Sequence, residues 1–261
     1  MVEERVITNV IQLLNEAYDQ HQSIPPLTAQ EPTMTIEDAY AVQIKRIETA
    51  VMTGERITGK KIGLTSLAMQ SLLGVNQPDY GHLLESMYVE DGGTVSLSQL
   101  FQPKIEGEIA FVLKEELAGP NVTVEDVLRA TDYIVPALEI VDSRIKDWNI
   151  KLEDTVADNA SCGLYVLGSD KVSIDDVDLK KIHMQLLKDD IVINEGKGTD
   201  VLGDPALCVA WLANKLAEYG VALKAGEVIL SGALSAAVEA VPGDKFTAKL
   251  THIGHVTVEF N

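Results

Sequence analysis

Ile105-Glu106-Gly107-Glu108-Ile109-Ala110-Phe111-Val112-Leu113 sets the frame for the rest of the chain, because its apolar-rich pattern predicts a strand over residues 105–113. Successive side chains of a strand point to opposite faces. Glu106 and Glu108 therefore share one face, roughly 6.6–7 Å apart along the strand, while Ile105, Ile109 and Phe111 share the other with Gly107. Two carboxylates placed in this way can converge on one hard cation, and all-oxygen donors suit magnesium or manganese. Chance also supplies the spacing: 40 Asp and Glu in 261 residues give about six acid-x-acid pairs. A solvated strand face is the competing reading.

Working outward, Glu139 stands alone in the otherwise apolar run Ile134-Val135-Pro136-Ala137-Leu138-Glu139-Ile140-Val141. Residues 133–141 read as an extended, buried segment, and Pro136 inside it suggests an edge or a bulge. A lone charge there is costly unless it is paired, to Arg144 or a lysine, or bound to a metal. Three carboxylates around one divalent ion leave coordination positions open for water and substrate.

The remaining pattern is α+β, a helical N-terminal part followed by a mostly β body. Val6, Val10, Ile11, Leu13, Leu14 and Tyr18 recur near helical spacing, and Pro25-Pro26 ends that pattern. Thr35 with Asp38 resembles a capping box ahead of a helix whose apolar face carries Ala39, Tyr40, Val42, Ile44 and Ile47. Short β-rich runs begin at Ile57. A short helix is expected over 124–130, capped by Thr123. A longer one is expected over 205–219, with Asp204 as cap, Pro205 at its first position and Gly220 as stop. Further strands are expected over 226–231, 245–250 and 255–260.

A formal charge of −19 disfavours nucleic acid and anionic membranes as partners. Cys162 and Cys208 form neither a disulfide framework nor a CxxC zinc site. Met1-Val2-Glu3-Glu4-Arg5 lacks the basic start of a signal peptide, and no run of about 18 uncharged apolar residues follows. The expectation is a cytoplasmic protein with reduced thiols.

Gly54-Glu55-Arg56-Ile57-Thr58-Gly59-Lys60 fits the first seven positions of a phosphate-binding loop. The eighth is Lys61, which cannot supply the magnesium-ligating hydroxyl, so nucleotide hydrolysis is rejected. In an extended Lys60-Lys61 pair at most one side chain is expected to point inward. A buried lysine can change its pKa or hold an enolate oxygen, and two solvated lysines are the plain alternative. Gln77-Pro78-Asp79-Tyr80-Gly81 reads as a turn that Asp79 caps, or in which Asp79 orients a lysine or a water. Asp158-Asn159-Ala160-Ser161-Cys162-Gly163 allows close backbone approach to a ligand or forms a plain turn, and Ser231-Gly232-Ala233 has the same two readings. No histidine is assigned a role, and Cys162 reads as a small packed residue.

These pieces together form a pattern. Gly59-Lys60-Lys61-Ile62-Gly63-Leu64-Thr65-Ser66, Gln77-Pro78-Asp79-Tyr80-Gly81, Lys104-Ile105-Glu106-Gly107-Glu108-Ile109-Ala110, Val141-Asp142-Ser143-Arg144, residues 154–163 and residues 222–232 occur in that order. The set resembles the 2-hydroxypenta-2,4-dienoate (2-keto-4-pentenoate) hydratases of aromatic meta-cleavage catabolism, within the fumarylacetoacetate hydrolase superfamily. The resemblance implies a catalytic mixed β-roll over 76–261 behind a helical region over 1–75. It implies a divalent metal, Mg or Mn, on Glu106, Glu108 and Glu139. Lys61 matches the lysine of a K-x-G pattern, Asp79 the turn aspartate, and Ser161 the small-residue segment near the substrate; the Ser231-Gly232 turn sits where backbone approaches the ligand. The implied enzyme is a hydro-lyase. Its dienol substrate becomes a 2-keto-3-enoate and then takes up water to give 4-hydroxy-2-oxopentanoate. A homo-oligomer, often a decamer of five dimers, is implied as well, and a complex with a related decarboxylase or a downstream aldolase is compatible with it. The alternatives are 4-oxalocrotonate (2-oxo-hex-3-enedioate) decarboxylase of the same family, or a catalytically silent partner subunit.

Overall fold

The computed structural model describes residues 2–67, 70–71 and 74–261. The N-terminal part is helical: α1 (Val2–Gln20), the single turn α2 (Leu27–Gln30) and α3 (Ile36–Met52). The Thr35 hydroxyl accepts from Asp38 N, and the Asp38 carboxylate accepts from Thr35 N, so both ends of the expected capping box are made. The strands that follow are β1 (Ile57–Gly63), β2 (Asp79–Leu84), β3 (Tyr88–Val89), β4 (Gly93–Val95) and β5 (Lys104–Leu113). After α4 (Val124–Ala130), capped by Thr123, come β6 (Thr131–Val141), α5 (Leu152–Ala157), β7 (Cys162–Leu167), β8 (His183–Lys188) and β9 (Ile191–Lys197). The chain closes with α6 (Pro205–Ala217), β10 (Val228–Leu230), β11 (Val238–Glu239), β12 (Lys245–Leu250) and β13 (Gly254–Phe260). The α6 cap is Asp204, whose side chain accepts from Ala206 N, and Gly220 past its end has φ +69°.

Among the described residues the strands form two sheets. The larger has eight strands in the order β2-β1-β10-β5-β6-β7-β3, with β11 added to β5; the smaller runs β4-β13-β12-β8-β9. The large sheet is mixed, since β1 with β10 and β3 with β7 are parallel and its other pairs antiparallel. Strand β1 precedes residue 75 and is hydrogen-bonded to β2 and β10, which follow it. The sheet curls, so that β2 packs on β7 and the Thr58 and Tyr165 hydroxyls lie 2.9 Å apart. Leu83, Ala110, Val135, Ala137, Cys162 and Leu230 form one buried cluster on the inside of this curl. The opposite face of β5 carries Ile105, Gly107, Ile109 and Phe111. A Cβ on Gly107 would stand 3.1 Å from Met184 Sδ of β8, so the glycine between the two glutamates is the point where the small sheet closes on the large one.

Two expectations change here. Pro136 lies in a strand with a neighbour on each side, not at an edge. Its carbonyl accepts from Gly168 N just past the end of β7, and the next link on that side is the Ile134–Val172 bridge. The missing proline N–H thus falls where the neighbouring ladder has already ended. Lys60 and Lys61 do point to opposite faces, but both are buried, because the curl covers one face of β1 and side chains of α3 and α6 approach the other.

Candidate metal and acid–base site

Strand register builds the site. Glu106 of β5 is paired directly with Glu139 of β6, and Glu108 follows two residues on, so alternation brings three carboxylates to the inside of the curl. One oxygen from each lies within 4.8 Å of the others. Glu108 and Glu139 are buried, and Glu106 faces a cavity of about 300 Å³. The solvated-face reading of Glu106 and Glu108 therefore fails, because the curl removes that face from water. Gly232 N–H donates to Glu108 Oε2 at 2.7 Å, so the Ser231-Gly232 turn, expected to approach a ligand, here positions a carboxylate. Gly232 has φ +115°, and a Cβ there would overlap the Thr65 side chain.

Lys61 reaches across the curl to Glu139, Nζ to Oε1 at 3.1 Å. Apart from that ion pair, both Glu139 oxygens, Glu108 Oε1 and Asp79 Oδ1 are buried without a hydrogen-bond partner among the described residues. Asp79 opens strand β2 opposite Gly63, where a turn was expected; pairing with β1 extends the backbone there. A Cβ at Gly63 would overlap Asp79 Oδ1 and come within 3.3 Å of Lys61 Nζ, so only glycine leaves room for this lysine and aspartate to share the space.

Burial pushes each carboxyl up. Glu106 rises to about 7, with Glu139 adding to the effect, and Glu108 rises well above the usual range under burial, Glu139 and Glu106. Burial also raises Glu139 against the opposing pull of Lys61. Asp79 rises to about 6 by burial, opposed by Lys61 and reinforced by Glu139. Burial pulls the Lys61 ammonium down, but Glu139, Asp79 and Glu106 outweigh it, so its pKa is raised and it stays charged. Three carboxylates, two of them buried and one facing the cavity, that repel one another and hold unpartnered oxygens fit a hard divalent cation, which supplies the missing charge and accepts those lone pairs.

Ser161 lines the same cavity as Lys61, Asp79 and Glu106, its Oγ 3.0 Å from Thr155 Oγ1. Asn159, Ala160 and Ser161 are consecutive left-handed residues, with φ 56°, 51° and 52°, a conformation costing roughly 1–2 kcal/mol per residue. Arg144 holds this segment. Its guanidinium bonds the Asp158 carboxylate at 2.6 Å, the Asp158 carbonyl at 2.8 Å and the Cys162 carbonyl at 3.2 Å, spanning the three strained residues. The Asn159 side chain accepts from His82 N and donates to His82 O, tying the turn to the strand that carries Asp79. A Cβ on Gly81 would overlap Asn159 O at that junction. Sequence reading gave Arg144 no part in this clamp, since nothing local signals that its partners lie at residues 158 and 162.

A larger cavity, about 790 Å³, lies behind β1 and contains none of the three glutamates. Lys60 there is paired with Glu227 at 3.0 and 3.2 Å. Burial and Lys60 hold the neighbouring His82 imidazole down at about 3, hence neutral. Gly54 lies in the turn after α3 and leads into strand β1, where a phosphate loop would open a helix. Cys162 is buried and its thiol pushed up by burial, with Glu139 adding to the effect.

Residues 30–261 match the family described as fumarylacetoacetate (FAA) hydrolase C-terminal. The chain is 47% identical to a 2-hydroxyhexa-2,4-dienoate hydratase of Comamonas testosteroni, covering 100% of this chain and 99% of the relative. It is 46% identical to a 2-keto-4-pentenoate hydratase of Paraburkholderia xenovorans (strain LB400), covering 95% and 93%. Among solved structures, 4-oxalocrotonate decarboxylase from Pseudomonas putida G7, complexed with magnesium and adipate, superposes with a TM-score of 0.96 at 38% identity, covering 100% and 99%.

Proposed function

Because the chain belongs to the fumarylacetoacetate hydrolase family, we propose that it is a metal-dependent hydratase acting on 2-hydroxypenta-2,4-dienoate or a close homologue, forming 4-hydroxy-2-oxopentanoate from the five-carbon acid. The observation that carries this reading is the convergence of Glu106, Glu108 and Glu139, with unpartnered oxygens, beside the Lys61–Asp79 pair. Glu106, Glu108 and Glu139 would hold magnesium or manganese, which supplies Lewis-acid polarisation of a 2-oxo acid.

The chain's own groups have separable tasks. Lys61 remains an ammonium and faces the developing negative charge on the C2 oxygen. Asp79, raised toward neutrality, exchanges protons: one is delivered at C5 as the C2 hydroxyl loses its own, which gives the 2-oxo-3-enoate. Water then adds its oxygen at C4 and a proton goes to C3. Ser161, presented by its strained turn, orients the substrate. The curl keeps bulk water from the reacting atoms.

Hydratase is preferred over decarboxylase because the hydratase relatives stand at 47% and 46% identity, against 38% for the decarboxylase. The same reading places the enzyme in aromatic meta-cleavage catabolism in the cytoplasm, as a homo-oligomer able to associate with a related decarboxylase or a downstream aldolase. Among the described residues no helix is long and apolar enough to cross a membrane. The test is an ultraviolet assay of dienol loss with and without magnesium or manganese, with product identification. Metal-dependent formation of 4-hydroxy-2-oxopentanoate supports the hydratase. Carbon dioxide release from 2-oxo-hex-3-enedioate, without dienol hydration, would establish the decarboxylase instead, and no metal-dependent turnover of either acid would point to a silent subunit.

A further inference from the structure

Thr155, in the short helix α5, is buried and lines the same cavity as Lys61, Asp79 and Ser161. Its hydroxyl is not spent on its own helix. Thr8 in α1 and Thr49 in α3 each turn the hydroxyl back to the carbonyl four residues earlier, at 2.8 Å. Thr155 N donates to the corresponding carbonyl, Lys151 O, but the Thr155 hydroxyl does not. Among the described residues its one hydrogen-bond partner is Ser161 Oγ, 3.0 Å away, and Ser161 Oγ has no other partner either.

Both members of this pair are held by their backbone neighbours. Asp154 accepts from Thr28 N, Thr28 Oγ1 and Lys151 N at 2.8, 2.9 and 2.8 Å, which fixes the start of α5. On the other side of Thr155, Val156 O accepts from Gln43 Nε2 at 2.8 Å, and the same amide donates to Tyr80 O, beside Asp79, at 3.0 Å. Ser161 O accepts from Asp142 N at 2.8 Å, and Ser161 N donates to Asp158 O at 3.0 Å. The side chains differ in freedom. Threonine is branched and stiff at χ1, whereas the serine hydroxyl turns more easily. Two hydroxyls in contact use one proton between them and keep one for a ligand. A hydroxyl that accepts a hydrogen bond is polarised into a better donor.

We infer that Thr155 is a positioning residue: its hydroxyl donates to Ser161 Oγ and so turns the Ser161 proton toward an acceptor oxygen of the bound 2-oxo acid. The inference rests on the reading above, in which Ser161 orients the substrate. Thr155 is the rigid member set by the fold, and Ser161, at the end of its strained turn, is the member that is aimed.

Calorimetric titration of 2-oxopentanoate in magnesium tests this on the wild type, Thr155→Val, Thr155→Ser, Ser161→Ala and the variant carrying both Thr155→Val and Ser161→Ala. Thr155→Val keeps the branched shape and loses the hydroxyl, and should weaken binding about fivefold, as the loss of one neutral hydrogen bond does. Thr155→Ser should retain the wild-type affinity. Once Ser161→Ala is present, Thr155→Val should cost nothing more, because the proton that it aims is gone. A purely structural Thr155 would carry the same loss into the Ser161→Ala background. That additive loss, an unchanged affinity in Thr155→Val, a weakened Thr155→Ser, or a Thr155→Val chain that does not fold would overturn the inference. Dienol turnover by the wild type is measured alongside. Turnover with additive losses counts against Thr155 alone; coupled losses without turnover count against the hydratase reading alone.

Discussion

Replacing Glu108 by Gln should make the metal-free protein more stable while removing its response to divalent ions. Glu108 has two carboxylate neighbours whose nearest oxygens lie within 4.8 Å of its own. At an effective dielectric of about 20, one such pair repels by about 3.5 kcal/mol, and two pairs by about 7. Protonation is the cheaper escape. Taking a carboxyl of ordinary pKa 4.5 to its neutral form at pH 7 costs at most about 3.4 kcal/mol, whatever the size of its shift. The penalty in the metal-free wild type is therefore capped near that figure, and Lys61 reduces it further. Glutamine carries no charge, its carbonyl oxygen can still accept from Gly232 N, and its amide can donate toward Glu139.

The expected gain is about 1–3 kcal/mol at pH 7, or several degrees in Tm for a chain of this size. The sign follows from linkage. A carboxyl raised in the folded state destabilises it above the unfolded pKa, so the gain should shrink as pH falls and vanish below about 4.5, where both states are protonated. Thermal and urea denaturation with a chelator, at pH 7 and at pH 4.5, measure both arms. Adding magnesium or manganese should raise the Tm of the wild type and leave Glu108→Gln unmoved. A variant no more stable than the wild type in chelator at pH 7, or equally stabilised by the ion, would refute this electrostatic account of the triad.

Lys61→Ala should lower kcat at least a hundredfold, whereas Lys60→Ala should cost about 3 kcal/mol of stability by leaving Glu227 buried and unpaired, with kcat of the folded fraction near normal; equal kcat losses would defeat the two-face assignment. Gly63→Ala should abolish most activity with an unchanged far-ultraviolet dichroism spectrum, since the added methyl must displace Asp79 or Lys61; normal kcat would show that the two need not share that space. Ala160→Gly should raise stability by about 0.5–1 kcal/mol through relief of left-handed strain, while the looser segment lowers kcat; a fall in stability would contradict the strain at that position.

Much of the site was legible because it depends on local periodicity. Period-two alternation puts Glu106 and Glu108 together, and an unaccompanied charge in an apolar run marks Glu139. Caps at Thr35, Thr123 and Asp204 were readable for the same reason, since each cap bond closes within three residues. Lys61 and Asp79 were legible only through resemblance, since nothing in Lys60-Lys61 says which ammonium meets the carboxylates. The hairpin of β8 and β9 went unread, because its strands carry charged residues that blur the alternation.

Sequence alone determined which side chains could face one another along a single strand, and that the lone charge of Glu139 in its apolar run would need a partner or a metal. Tertiary structure decided which acids meet. The β5–β6 register sets Glu106 against Glu139, the curl brings Lys61 across to them, and both faces of β1 are covered so that Lys60 is buried as well. It also decided that Arg144 spans a strained turn and that Lys104 rests on the Trp148 ring. The physical reason is range: side-chain direction is fixed by the backbone within a few residues, whereas these partnerships join residues from 14 to 78 positions apart, which no local rule reaches.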